Sequence, residues 1–180
     1  MYHPKGNNQH LVFGYFGSIS SNKGVEFLLR SFQKIKDKKI KLLLAGKENN
    51  PNYIDGLKEK YLDERVRFIG FNKPEFFFSK IDVLIHPALW HEPFGRVIAE
   101  AYSYGIPVIS SKKGGLTEII DNKKTGFLFT TEKELIAKIN YFICNRNIVN
   151  DMKLHCLDKA KSFLADNIAD KYLEVYNKLL

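Results

Sequence analysis

The run Leu11-Val12-Phe13-Gly14-Tyr15-Phe16-Gly17-Ser18-Ile19-Ser20-Ser21-Asn22-Lys23-Gly24 decides the fold. A short apolar, aromatic-rich segment gives way at a glycine to a loop of small polar residues, the pattern of a buried strand and the turn that follows it. Val25, Leu28, Leu29, Phe32 and Ile35 then recur at i, i+3, i+4, i+7 and i+10, which is one face of an amphipathic helix. A second apolar run, Ile40–Ala45, ends at Gly46. Strand, helix and strand in this order predict two parallel strands joined by a crossover helix.

The alternation continues outward from this unit. A polar helix is expected over 53–62, a third strand over 66–69 stopped by Gly70, a short helix over 74–79 and a fourth strand over 83–85. The loop 86–94 leads into a helix over 95–104, and Gly105 suits the left-handed position after a helix end. A fifth strand over 107–110, a flexible Gly114-Gly115 turn, a short helix over 116–120 and a sixth strand over 126–129 follow. The remainder reads as helix, with Leu135, Ile139 and Phe142 on one face and Ile168, Tyr172, Val175, Tyr176 and Leu179 on another. The fold class is α/β, a Rossmann-like doubly wound parallel sheet, in one domain over 1–180.

At 180 residues, 44% hydrophobic and 27% charged, the chain has the composition of one globular core and not of a disordered or coiled-coil protein. No apolar run approaches the roughly 18 residues of a membrane span. The opening 1–8 segment lacks the apolar stretch of a signal peptide, so a cytoplasmic location is expected. Cys144 and Cys156 fall in helical segments without C-x-x-C spacing and are expected to be free thiols. The net charge of +8 comes mainly from dispersed lysines, since only five of the 28 basic residues are arginine. They fit a solvated surface or an attraction to phosphates, headgroups or nucleic acid. Nucleic-acid binding calls for clustered Lys and Arg or interleaved aromatics, which the sequence lacks.

In doubly wound sheets ligands bind outside the carboxyl ends of the strands. The loop 17–24 ends with Lys23-Gly24 at a helix start, where free N–H groups, the helix dipole and an ammonium favour a phosphate; a plain connection is the other reading. Its spacing matches neither the P-loop nor the dinucleotide fingerprint. The second candidate is His86-Pro87-Ala88-Leu89-Trp90-His91-Glu92-Pro93-Phe94-Gly95-Arg96-Val97-Ile98-Ala99-Glu100-Ala101. Glu92 is expected to project from the loop and Glu100 to lie over one turn inside the helix. Two such carboxylates can each accept bidentately from a diol, and the amides near Phe94 and Gly95 can hold an anion between them. Alternatively Glu92 stabilises the helix start and Glu100 is a solvated helix residue. His86 and His91, at i, i+5 with Pro87 between them, read as loop packing in preference to a metal pair.

This stretch, with Gly105-Ile106-Pro107-Val108-Ile109 after it, resembles the signature of family 4 of the glycosyltransferases, also called group 1. Gly114-Gly115-Leu116-Thr117-Glu118-Ile119-Ile120 and Thr125-Gly126-Phe127-Leu128 are similar to the family's next landmarks. Gly17-Ser18 with Lys23-Gly24, Leu44-Ala45-Gly46 and Val66-Arg67-Phe68-Ile69-Gly70 fall upstream in the family's order. The resemblance covers roughly residues 11 to 145.

It implies a two-domain enzyme in which this chain is the C-terminal, donor-binding half and the acceptor-binding N-terminal domain is absent. By motif match Glu100 holds the ribose hydroxyls of a UDP- or GDP-sugar, and Glu92 the hydroxyls of its sugar. Phe94 and Gly95 offer backbone amides, Lys23 neutralises the departing diphosphate, and the main chain at Phe71 pairs with the base. It further implies no metal or other cofactor, and the sequence has no Asp-x-Asp. The acceptor would be a polysaccharide, glycolipid or lipid-linked oligosaccharide, with peripheral membrane association of the full enzyme. One departure stands out. The family usually has arginine after the glycine that ends the first strand, and Ser18 stands there, offering one neutral hydrogen bond in place of a charged fork.

Overall fold

Strands β1 (Leu11–Phe16), β2 (Ile40–Ala45), β3 (Val66–Phe68), β4 (Val83–His86), β5 (Val108–Ser111) and β6 (Gly126–Phe129) pair in parallel in the order β3-β2-β1-β4-β5-β6. This computed structural model describes residues 10–47, 50–61 and 63–179; the 1–8 segment and Leu62, read above from sequence, lie outside them. Every residue of β4 and β5 is buried, as expected for parallel strands covered on both faces. Gly14 lets the sheet be covered closely: a Cβ there would lie 2.6 Å from Ile81 and 2.7 Å from Phe77.

The covering helices are α1 (Val25–Gln33), α2 (Pro51–Lys60), α3 (Pro74–Phe78), α4 (Arg96–Ser103), α5 (Leu116–Ile119), α6 (Glu132–Cys144) and α7 (Ile148–Lys161). Their starts follow local chemistry. Asn50 caps α2, accepting from the Tyr53 amide at 3.1 Å with Pro51 in the first turn, and Thr131 caps α6, accepting from Glu134 at 3.2 Å. Val25, Leu28, Leu29 and Phe32 of α1, and Leu135, Ile139 and Phe142 of α6, are buried as their periodicity predicts. Burying each such side chain stabilises the fold by about 1.5–3 kcal/mol.

α8 (Ala165–Leu179) is helical as expected but buries no residue. Its apolar stripe, Ile168, Tyr172, Val175, Tyr176 and Leu179, is exposed. Other boundaries shift by one or two residues, α2 running two residues earlier than its pattern suggests because Asn50 caps it and Pro51 opens it. β4 extends through His86, β5 runs one residue later than its apolar pattern suggests, and α4 starts at Arg96 because Gly95 takes a left-handed conformation.

The strand order sets where a ligand can sit. The chain winds from β1 outward through β2 to β3, then crosses back to β4 on the other side of β1. The loops after β1 and β4 therefore diverge from neighbouring strands and leave a crevice between them, the topological switch point of a doubly wound sheet.

Candidate functional site

Gly24 brings those two loops together. A single 3-10 turn, Ser21–Lys23, ends at Gly24, whose φ of 76° is left-handed. A Cβ on Gly24 would lie 2.0 Å from the Pro87 carbonyl oxygen, so only glycine permits this approach. One residue pair further, the Leu89 amide donates to the Asn22 carbonyl at 3.2 Å.

The approach delivers Lys23 to Glu92. Lys23 Nζ lies 3.2 Å from Glu92 Oε2 and 4.6 Å from the centroid of the Trp90 ring. Glu92 does not project from the loop as the sequence suggests. It turns inward, its side chain only 16% exposed, because a half-buried ammonium faces it and its main chain is held from below. The Gly115 amide donates to the Glu92 carbonyl at 2.9 Å. A Cβ on Gly114 would fall 2.5 Å from that carbonyl oxygen, and one on Gly115 2.1 Å from the Pro93 oxygen. The pair read as a flexible turn is thus a closely packed seat.

His86 completes the cluster. Its Nε2 lies 3.8 Å from Glu92 Oε2 and has no hydrogen-bond partner among the described residues. Burial lowers its pKa from the ordinary 6.5 to about 4; the Glu92 carboxylate pulls upward and the Lys23 ammonium downward, both more weakly. His91 is exposed, so the two histidines do not converge. The crevice floor is fixed by hydroxyls of β5: Ser110 donates to the His86 carbonyl at 3.2 Å and Ser111 to the Ala88 carbonyl at 2.8 Å. Lys113 Nζ donates to the Leu89 carbonyl at 2.6 Å.

Beyond Glu92 the chain enters α4. No side chain caps this helix, so the first-turn N–H groups that helices leave without internal partners remain available to an anion. Phe94 is part-exposed, its ring edge-on to Phe163 at 5.5 Å. Glu100, one turn on from Arg96, pairs with it at 3.6 Å. Ser18 lies in the loop after β1, where its carbonyl accepts from the buried Tyr15 hydroxyl at 2.7 Å. Phe71 follows β3, two strands and roughly 10 Å from β1, and is 78% exposed. Lys23 and Glu92 are therefore in contact; Ser18 follows β1 and Phe71 follows β3 at the carboxyl ends of their strands, and Glu100 lies within α4.

The profile of the family "Glycosyl transferases group 1" matches residues 3–156. The chain belongs to that family. It is 32% identical over 171 residues to the O-antigen biosynthesis glycosyltransferase WclY of Escherichia coli, covering 94% of this chain and 47% of that protein. It is 32% identical over 126 residues to the capsular polysaccharide biosynthesis glycosyltransferase CapM of Staphylococcus aureus, covering 67% and 33%. Among solved structures, Anabaena HepE in complex with UDP and glucose superposes with a TM-score of 0.82 at 26% identity, covering 94% of this chain and 49% of that one. Sucrose-phosphate synthase from Thermosynechococcus elongatus superposes with a TM-score of 0.82 at 27% identity, covering 96% and 46%. The group 1 chain thus spans between a third and a half of the length of these relatives.

Several residues that build this glycosyltransferase crevice carry no chemical signature in the sequence. Ser110 and Ser111 act through their hydroxyls on main chain of β4 and the loop after it, and Tyr15 on the loop that follows its own strand. The signal available was a buried polar residue at a strand's carboxyl end. Trp90 and His86 lie inside the recognised stretch, yet their roles depend on where Lys23 comes to rest.

Proposed function

We propose that this chain is the donor-binding half of a retaining family 4 glycosyltransferase. It would move a hexose from a UDP- or GDP-sugar to a polysaccharide, glycolipid or lipid-linked oligosaccharide. The observation that carries the reading is the Lys23–Glu92 pair at the switch point, beside the uncapped start of α4. The complex of Anabaena HepE with UDP and glucose, a structure of the same fold at 26% identity, supports a nucleotide-sugar ligand.

The chemistry follows from charge. Breaking the bond between the anomeric carbon and the diphosphate oxygen puts negative charge on the leaving group, and a fixed cation beside it lowers the barrier. Lys23 supplies that cation, and the amides at Phe94 and Gly95 approach the sugar or diphosphate. Glu92 accepts from hydroxyls of the donor sugar and Glu100 from those of the ribose, each carboxylate holding a diol. The main chain at Phe71 meets the base. Ser18 adds one neutral hydrogen bond near the phosphates. A second domain closing over the crevice would bring the acceptor and exclude water. The complete enzyme would work in the cytoplasm, at the inner face of the membrane, without a metal ion.

Ser18, in place of the family's arginine, favours a second reading: a non-catalytic donor-binding subunit of a split or regulatory glycosyltransferase. Isothermal titration of the chain with UDP-glucose, a GDP-sugar and an oligonucleotide tests both. Binding of one nucleotide sugar and no oligonucleotide is expected; absence of any nucleotide-sugar binding would end both readings. Transfer restored by a separately encoded partner would select the second.

A further inference from the structure

The Nε2 atom of His86 is buried, without a hydrogen-bond partner among the described residues, and 3.8 Å from a carboxylate oxygen that Lys23 already holds at 3.2 Å. Leaving a buried polar group unpaired is costly, and such groups in native proteins call for an explanation. Here the explanation lies in competition. Both Lys23 and His86 face Glu92 Oε2, and the lysine has it.

The proposed reaction takes Lys23 away. If its ammonium turns to the diphosphate, Glu92 keeps its place in the half-buried crevice but loses its cation. His86 is then the nearest donor. Closing its gap to hydrogen-bond length requires a movement of roughly 1 Å, and the imidazole stands at the end of β4, where Ser110 pins the His86 carbonyl and Ser111 the Ala88 carbonyl just beyond.

We propose that His86 is a positioning residue for Glu92, its Nε2–H taking over Oε2 when Lys23 leaves, so that Oε1 stays free for a donor-sugar hydroxyl. The inference rests on the function proposed above. The charged groups facing His86 are Glu92 and Lys23. Burial keeps the ring neutral, and a neutral ring facing a carboxylate places its proton on the facing nitrogen. The exchange therefore replaces a cation with a neutral donor. Glu92 stays anionic, which a sugar hydroxyl needs from its acceptor.

The free protein tests this without any donor. Lys23→Ala reproduces the lysine's departure. NMR titration of the histidine ring should then show the His86 pKa rising from about 4, with the proton of the neutral ring on Nε2. The rise should shrink sharply in Lys23→Ala/Glu92→Gln. A His86 titration unchanged in Lys23→Ala, or a rise of the same size without Glu92, would overturn the inference.

Binding supplies the second readout. His86→Leu should leave UDP affinity within about twofold and weaken UDP-glucose by roughly tenfold, the order of one hydrogen bond to a charged group. His86→Gln, which carries an amide nitrogen at similar reach, should recover most of that loss. Equal losses in Leu and Gln variants would reduce His86 to a packing residue. If the wild-type protein bound neither ligand, the proposed function would fall, and the NMR titration would still decide the His86–Glu92 bond.

Discussion

Lys23 and Glu92, 69 positions apart, meet across the switch point with Nζ and Oε2 separated by 3.2 Å. Each neutralises the other, so an anion entering the crevice must compete with Glu92 for the lysine. Glu92→Gln is therefore expected to bind UDP several-fold more tightly than wild type. Lys23→Met should bind it roughly tenfold more weakly and with a flatter dependence on salt, since one screened attraction is gone. Calorimetric titrations at two ionic strengths measure both effects. Equal UDP affinity in Glu92→Gln and wild type would show that the pair does not restrain Lys23.

Glu100 separates stability from binding. Its partner Arg96 is 87% exposed at i,i+4 spacing, and such surface pairs contribute about 0.3–0.5 kcal/mol. Glu100→Ala should therefore shift the melting temperature by little more than 1 °C while lowering UDP affinity at least tenfold. Thermal melts beside calorimetry read the two quantities. A large stability loss with unchanged affinity would make Glu100 a structural residue.

Two glycines give opposite predictions. A Cβ on Gly115 would sit 2.1 Å from the Pro93 oxygen, whereas Gly56, exposed within α2, has nothing within 4 Å. Gly115→Ala must push main chain out from under Glu92, so melting should fall by several degrees and UDP-glucose binding should weaken. Gly56→Ala removes backbone freedom from the unfolded chain and should stabilise by about 0.5–1 kcal/mol. Melting curves of the two variants, moving in opposite directions, are the check.

The contrast between those glycines also shows what the sequence could convey. Apolar runs marked the six strands, and a glycine closed the first three of them, at Gly17, Gly46 and Gly70; β4 and β5, buried on both faces, leave the most contiguous hydrophobic record. Lys23, Glu92 and Glu100 were picked out by the resemblance to the family's motifs; residue type and spacing alone left a structural reading open for each. The inward turn of Glu92 was not legible, since its partner arrives from a loop 69 residues away. Gly114-Gly115 read as a flexible turn because the main chain that fills the space above them belongs to residues 92 and 93. The exposed stripe of α8 shows the same limit in reverse: periodicity reveals an apolar face, not what lies against it.

The two thiols differ by burial. Cys144 is exposed, while Cys156 is buried and its thiol is pushed up to about 12 by burial. Since the thiolate is the reactive form, a thiol reagent at neutral pH should modify one cysteine rapidly and the other only on unfolding. Mass spectrometry after brief labelling reports the count. Fast double labelling of the folded protein would contradict the buried placement of α7.

His86 makes the fold sensitive to mild acid. In the unfolded chain its imidazole takes up a proton near 6.5, while in the folded chain burial delays protonation to about 4. Between these values the unfolded state binds more protons, so stability is intact above about pH 6.5 and declines as pH falls towards 4. The full shift corresponds to a loss on the order of 3 kcal/mol. Urea denaturation of the wild type from pH 7 to pH 4.5 should show this decline beyond the contribution of the carboxylates. His86→Gln, with no proton to gain, should show a shallower slope over the same window. Parallel slopes for the two proteins would mean that the ring takes its proton in the folded state near its ordinary value, and that water reaches Nε2 beside Glu92.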